Sequence, residues 1–387
     1  MSQDLSHLID AIDACLPRAG RPHHVHEPRL RGNASEYVKE CVDTSCVSYA
    51  NGRFVEAFEK QLAEFTGTGY AIATVNGTAA LHVCLMLAGV KPGDEVLVPA
   101  LTFVATANAV RYCGAFPHFV DSEPETLGMD PRRIEQYLAT TVEKRSGAAF
   151  NRLTGRRISV VVPMHVFGHP IDVDRLQEVC DQFHLVMVED AAQSLGSYYK
   201  ARHTGSRGLL SSLSFNGNKI LTTGGGGAVL TSDASIAAQA RHLVTTARVP
   251  HPWSFVHDEV GYNYRLPNLN AALGVAQMEY FPEELARKRR LAERYETALK
   301  GIPSVRFLKE KDGSRSNYWL NTILLEKPGQ RNALLEGLQE RGILARACWT
   351  LMHRLAMFKD MPRMPLPIAE DLEPRIVNLP SSGFLVS

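Results

Sequence analysis

From residue 70 onward the chain alternates short apolar runs with segments whose apolar residues recur at helical spacing, and this alternation limits its folds most. "YAIATV" (70–75) is followed by "GTAALHVCLMLAG", "EVLVPA" (95–100) by "FVATANAVRYCG", and "FPHFVD" (116–121) by a segment beginning "DPRRIEQYL". "ISVVVPMH" (158–165) precedes "DVDRLQEVCDQF", and "LVMVED" (185–190) closes the series. Strands apolar on both faces need a covering layer on each side, so they predict a mostly parallel sheet with helices on both faces. An all-α or all-β chain does not produce this pattern. Residues 269–301 read as one long helix, and 302–387 mixes short strands with one helix. The expected division is an N-terminal arm with a lead-in helix (1–49), a large α/β domain (50–265) and a smaller α+β domain (266–387).

A chain of 387 residues can bury cores for both units. Lys+Arg 42 against Asp+Glu 41 leaves a net charge of +1, too little to recruit nucleic acid or an anionic membrane. Seven cysteines without a CxxC pair, several in apolar segments, fit a reduced, cytoplasmic setting. "MSQDLSHLIDAIDACL" lacks the basic and apolar regions of a secretion signal, and no run reaches the roughly 18 apolar residues of a membrane span. "HHVHE" brings His23, His24 and His26 together, but without a further ligand pattern a surface arm is expected there and no metal site.

In an open parallel sheet, ligands sit beyond the carboxyl ends of the strands. Three stretches fall there. In "VNGTAAL" (75–81) a strand ends, Gly77 permits a tight turn, and a helix starting at Thr78 or Ala79 offers free N–H groups to a phosphate. GxGxxG is absent, so a dinucleotide site is not supported. In "VMVEDAAQS", Asp190 closes an apolar strand and needs a cationic partner or several N–H donors. A protonated heteroaromatic nitrogen is one such partner, and capping a following helix is the competing reading.

The third stretch, "SFNGNKILTTGGGG" (214–227), sets Lys219 ahead of four glycines. A lysine that forms a Schiff base must lose its proton near neutral pH, which burial or a cationic neighbour can bring about. Ser214 can add a hydroxyl to an anion site, and the glycines would let backbone pass close to a flat ligand. A flexible surface loop is the competing reading. Cradle, acid and lysine, in that order, match what pyridoxal 5'-phosphate requires: a held phosphate, a protonated pyridine nitrogen and an amine for the aldehyde.

Through "GRFVEAFEKQLAEFTG", "VNGTAALH", "PALTFVATANAV", "VEDAAQSLGS", "SFNGNKILTTGGGG" and "GYNYRLPNLNAALGVAQ", the chain resembles the DegT-type sugar-nucleotide aminotransferases. These are pyridoxal-phosphate enzymes of the aspartate aminotransferase fold (fold type I), and the resemblance runs from about residue 26 to 383. It implies that Lys219 holds the cofactor and later moves the proton, that Asp190 pairs with the pyridine nitrogen, and that Gln193 lies beside the phenolic oxygen. It assigns Gly77, Thr78 and Ser214 to the phosphate cradle. Phe103 becomes a ring on the cofactor face, against plain core packing at a helix start. Asn263, with Arg265, matches a loop that reaches into a neighbouring subunit's site, which implies a homodimer.

"SFNGNK", "GGGG", "VPHPWSFVHDEVGYNYRLPN" and "WTLMHRLAMF" resemble in particular the enzymes of nonulosonic (legionaminic-type) acid biosynthesis. That likeness implies glutamate as donor and a UDP-linked 2-acetamido-4-keto-2,6-dideoxyhexose as acceptor, for surface glycan synthesis. The alternatives are a perosamine-type enzyme acting on GDP-4-keto-6-deoxymannose, and a regulator that binds without turnover. Such regulators append a helix-turn-helix, and roughly the first fifty residues hold no such pair with a basic face. "DTSCVSYANG" (43–52) departs from the family, which has an aromatic residue and a glycine near Ser45–Cys46, and is expected to border the substrate entrance. Asn317, Trp319, His353 and Arg354 are polar candidates for sugar contacts with no spacing argument to separate them.

Overall fold

The computed structural model describes residues 3–48 and 52–386. Seven strands form the backbone of the large sheet: β1 (Tyr70–Thr74), β2 (Glu95–Pro99), β3 (Phe116–Val120), β4 (Arg157–Val161), β5 (Val186–Asp190), β6 (Leu210–Ser214) and β7 (Gly227–Thr231). Their order is β1-β7-β6-β5-β4-β2-β3. Neighbours are parallel except at β7, which runs antiparallel to both β1 and β6. A hairpin, Val142–Arg145 with Ala148–Asn151, adds antiparallel to the start of β4. β2 and β7 are buried at every position, as strands covered on both faces must be. The reversal at β7 has a local cause. The β6–β7 connection (215–226) contains no helix, and a parallel return needs a crossover that is usually helical. That connection is the Lys219 stretch itself.

The smaller sheet holds β8 (Val305–Phe307), β9 (Asn321–Leu325), β10 (Arg346–Ala347) and β11 (Ile376–Leu379), in the order β8-β9-β11-β10 and antiparallel throughout. The N-terminal helix Gln3–Ala14 buries Leu5, Leu8, Ile9 and Ile12 in the same core as Ile323, Leu325, Val377 and Leu379. The strand His23–His24 pairs with Ile343–Leu344. The arm thus packs on the C-terminal unit. His23 is buried and His24 exposed, since neighbours on a strand point to opposite faces, and these histidines form no ligand group among the described residues.

The single helix expected over 269–301 is two helices, Asn268–Met278 and Phe281–Leu299. Pro282 lies in the first turn of the second, where a missing N–H does no harm and a new helix can start. The first packs against the helices Ala34–Asp43 and Arg53–Thr66. The second supplies Leu291, Tyr295 and Leu299 to the small-sheet core. We therefore place the division between the units at this break in preference to residue 265. The 49/50 boundary lies outside the described residues. All seven cysteines are free thiols, and no described helix is long and apolar enough to cross a membrane.

Candidate active site

At the carboxyl end of β1, Asn76 caps the helix Gly77–Leu87 by accepting the Ala79 N–H at 2.8 Å, so the helix starts one residue earlier than expected. Ser214 ends β6 beside it. A β-carbon on Gly77 would lie 2.7 Å from Ser214 Cβ, so only glycine lets turn and strand end meet. Gly77, Thr78 and Ser214 share one cavity wall, where the helix N-terminus and a hydroxyl suit a phosphate.

The four glycines serve a purpose other than the expected one. Gly224 has φ +78, and a β-carbon on Gly227 would lie 2.5 Å from the Asn76 carbonyl carbon. None of the four lines the cavity. The close approach that Gly227 permits is of the chain to its own Asn76–Gly77 turn, not to a flat ligand, and it holds the cradle in place.

Lys219 does line the cavity, so the surface-loop reading falls. Its Nζ lies 4.1 Å from the centre of the Trp319 ring, whose Nε1 donates to the Asn218 carbonyl at 2.9 Å. Burial lowers the amine's pKa to about 8; the Asp190 charge opposes this and the Arg346 charge assists it.

Asp190 is buried at the end of β5. Thr106 Oγ1 donates to its Oδ2 at 2.8 Å and the Ala192 N–H to its Oδ1 at 3.1 Å. Burial still raises its pKa, against the pull of Thr106, Ala192 and Lys219. The carboxylate is therefore under-compensated, as an acid waiting for a cationic ligand atom would be. No helix follows it, because residues 191–197 form turns, so the capping reading fails.

Gln193 Oε1 accepts the Phe167 N–H at 2.8 Å, which leaves its amide nitrogen as the free donor. Phe103 is 47% exposed although apolar, and lines the cavity with its ring 6.1 Å from that of Trp349. Core packing does not describe it.

Seven of the nine expected site residues therefore meet in one cavity of about 320 Å³: Gly77, Thr78, Phe103, Asp190, Gln193, Ser214 and Lys219. The other two lie elsewhere. Arg265 is buried, with its guanidinium paired to Glu59 and 3.1 Å from the Ala73 carbonyl, off this chain's own cavity. Asn263 is exposed, bridged to Thr245, and off this cavity. The donor set fits pyridoxal phosphate: an anion cradle, an acid, an amine of lowered pKa and an aromatic face.

Several lining residues were missed. Thr106 stands three residues after Phe103 on the helix Val104–Tyr112, a spacing that would have found it. Arg346 and Trp349 come from the small unit, which no local pattern ties to the cavity; Trp319, one of the four sugar-contact candidates, does line it. Asn317 is structural: its Nδ2 donates to the carbonyls of Gln193 (3.0 Å) and Leu195 (2.9 Å), holding the Gln193 turn. His353 pairs with Glu370 and Arg354 with Glu373, both away from the cavity. Of the divergent segment, residues 43–48 do not line the cavity and Cys46 is tied down by Asn268, while 49–51 lie outside the described residues.

Comparison with known proteins bears on this site. The model of the DegT/DnrJ/EryC1/StrS aminotransferase family matches residues 28–385. GDP-perosamine synthase from Escherichia coli O157:H7 is 36% identical over 92% of this chain and 92% of its own length. GDP-perosamine synthase from Caulobacter vibrioides is 36% identical over 96% and 95%. Among solved structures, the aminotransferase TlmJ from Streptoalloteichus hindustanus superposes with a TM-score of 0.85, at 27% identity over 94% of both chains.

Proposed function

The chain belongs to the DegT/DnrJ/EryC1/StrS aminotransferase family, and we propose that it moves an amino group from glutamate to a nucleotide-linked 4-keto-6-deoxy sugar. It is a sugar-nucleotide aminotransferase whose cofactor is pyridoxal 5'-phosphate. The observation that carries the residue roles is an amine of pKa about 8 in the same cavity as an under-compensated carboxylate. Lys219 holds the cofactor's aldehyde carbon. Its neutral Nζ would be the base placed to take the proton from the donor's α-carbon. Asp190, oriented by Thr106 and the Ala192 N–H, keeps the proton on the pyridine nitrogen. With the cofactor bound, the Gln193 amide would serve the phenolic oxygen, Phe103 would cover a ring face, and Gly77, Thr78 and Ser214 would hold the phosphate. The bound cofactor supplies an electron sink for the charge left on the α-carbon.

The nucleotide in this reading is GDP. The expectation of a UDP-linked, legionaminic-type substrate gives way because two relatives covering over nine-tenths of the chain are GDP-perosamine synthases. The test is mass spectrometry of products from a panel of UDP- and GDP-linked 4-keto-6-deoxy sugars with glutamate. An amino sugar from the GDP-linked 4-keto-6-deoxymannose is expected, and amination of UDP-linked sugars alone would restore the earlier expectation. Protein that neither is yellow nor bleaches with glutamate would remove the reading altogether.

A second copy of the chain belongs to this proposal. Trp253 (81% exposed), Phe255 (74%) and Val260 (81%) stand in solvent on the segment leading to Asn263. So much apolar surface on one loop fits a partner's surface, toward whose cavity Asn263 would reach. Sedimentation should give a dimer, and a fully active monomer would refute the arrangement.

A further inference from the structure

Two cations line the cavity among the described residues, Lys219 and Arg346, and only the first has a task so far. Arg346 lies on β10, the edge strand of the small sheet. Four other arginines of this unit are paired: Arg289 with Glu310 at 2.8 Å, Arg331 with Glu373 at 3.2 Å, Arg354 with Glu373 at 3.0 Å, and Arg375 with Asp371. The Arg346 guanidinium makes no hydrogen bond and no ion pair with any described residue; the residue is exposed, yet it lines the cavity and burial lowers its pKa. A partly desolvated guanidinium without a partner is unfavourable unless a ligand brings the counter-charge. Its charge is felt at Lys219, so the two cations act on the same space.

Given the aminotransferase reading, on which this inference rests, both substrates place their reacting atom at Lys219 and carry an anion a short way from it. In the donor that anion is a carboxylate, and in the sugar nucleotide a diphosphate. We infer that Arg346 receives this anionic group and so fixes which substrates can present their reacting atom to Lys219. A planar guanidinium fork suits both oxyanions, binding two oxygens at once.

The test uses holoenzyme carrying Arg346→Gln and Arg346→Lys, with retained yellow colour as the check that the site is intact. Calorimetry measures binding of glutarate, GDP and UDP, none of which can react. Stopped-flow absorbance follows the half-reaction with glutamate and, separately, the half-reaction with keto sugar. Arg346→Gln should weaken binding of at least one anion by about tenfold to a hundredfold, and raise KM in the matching half-reaction with less change in kcat. Arg346→Lys should recover part of the loss, since it restores charge without the fork. Weakening confined to glutarate assigns the donor's carboxylate, confined to the nucleotides the diphosphate, and in both a shared subsite. Unchanged affinity for all three ligands overturns the inference. If wild-type protein fails to bleach with glutamate, the aminotransferase reading falls, while the three binding constants still decide what Arg346 does.

Discussion

Lys219→Ala protein is expected to fold as the wild type does and to lose amino transfer by about four orders of magnitude or more. On the proposed roles two functions would vanish together, the covalent hold on the aldehyde and the base that moves the α-proton. The fold should survive because Nζ makes no hydrogen bond or ion pair with a described residue; its contact is the face of Trp319. Stability supplies a second readout with a definite sign. The amine's pKa is about 8 in the folded apoprotein against 10.5 for an ordinary lysine, so between these values the unfolded chain binds more protons. Wild-type stability therefore gains from this group as pH rises through that window, and below about 8 the full cost of burying the charge remains. Lys219→Ala removes that cost. Urea unfolding of the two apoproteins should favour the variant most at pH 7 and lose the difference toward pH 10.5. Lys288, buried with a pKa of about 7, is common to both proteins and cancels. Cofactor uptake by wild-type apoprotein should accelerate with pH and level off above about 8, where the amine is neutral. Undiminished transfer by the variant, or uptake still accelerating toward pH 10, would contradict the role.

What could be read from the sequence follows what each signal depends on. Strand-helix alternation depends on burial of both sheet faces, a property each strand carries alone, so the large sheet was legible. The Lys219, Asp190 and Gly77 stretches were legible because each stands at the end of a strand, and the topology sends those ends to one place. The antiparallel turn of β7 was not foreseen, although a connection without a helix is itself a signal. The glycines were misread because a sequence does not say whether a close approach is to ligand or to chain; Gly227 packs on Asn76. The pairing of Arg265 with Glu59 was not legible because the two lie far apart in sequence. Arg346, Trp319 and Trp349 reach the cavity only through docking of the small unit, a long-range fact that periodicity does not contain.

Asp190→Asn separates charge from shape at the residue proposed to face the pyridine nitrogen, with an expected loss of about a hundredfold to a thousandfold in amino transfer. Asparagine keeps an oxygen for the Ala192 N–H, and its other arm still meets Thr106, whose hydroxyl can turn to accept in place of donating. The turn after β5 therefore stays formed. What disappears is the negative charge that makes a protonated pyridine nitrogen stable in a buried site. A neutral amide opposite that nitrogen leaves the ring a poorer sink, so the proton transfer handled by Lys219 slows while the phosphate stays held. Apoprotein stability moves the other way. Burial raises the pKa of Asp190, so its ionised form is disfavoured by folding, and the neutral asparagine escapes that cost above the ordinary carboxylate pKa near 3.8. The variant apoprotein should thus be at least as stable as wild type at pH 7 by thermal unfolding, and should still take up cofactor, while turnover collapses. A merely structural aspartate would give the reverse pattern, with lowered melting temperature and turnover retained per mole of folded protein.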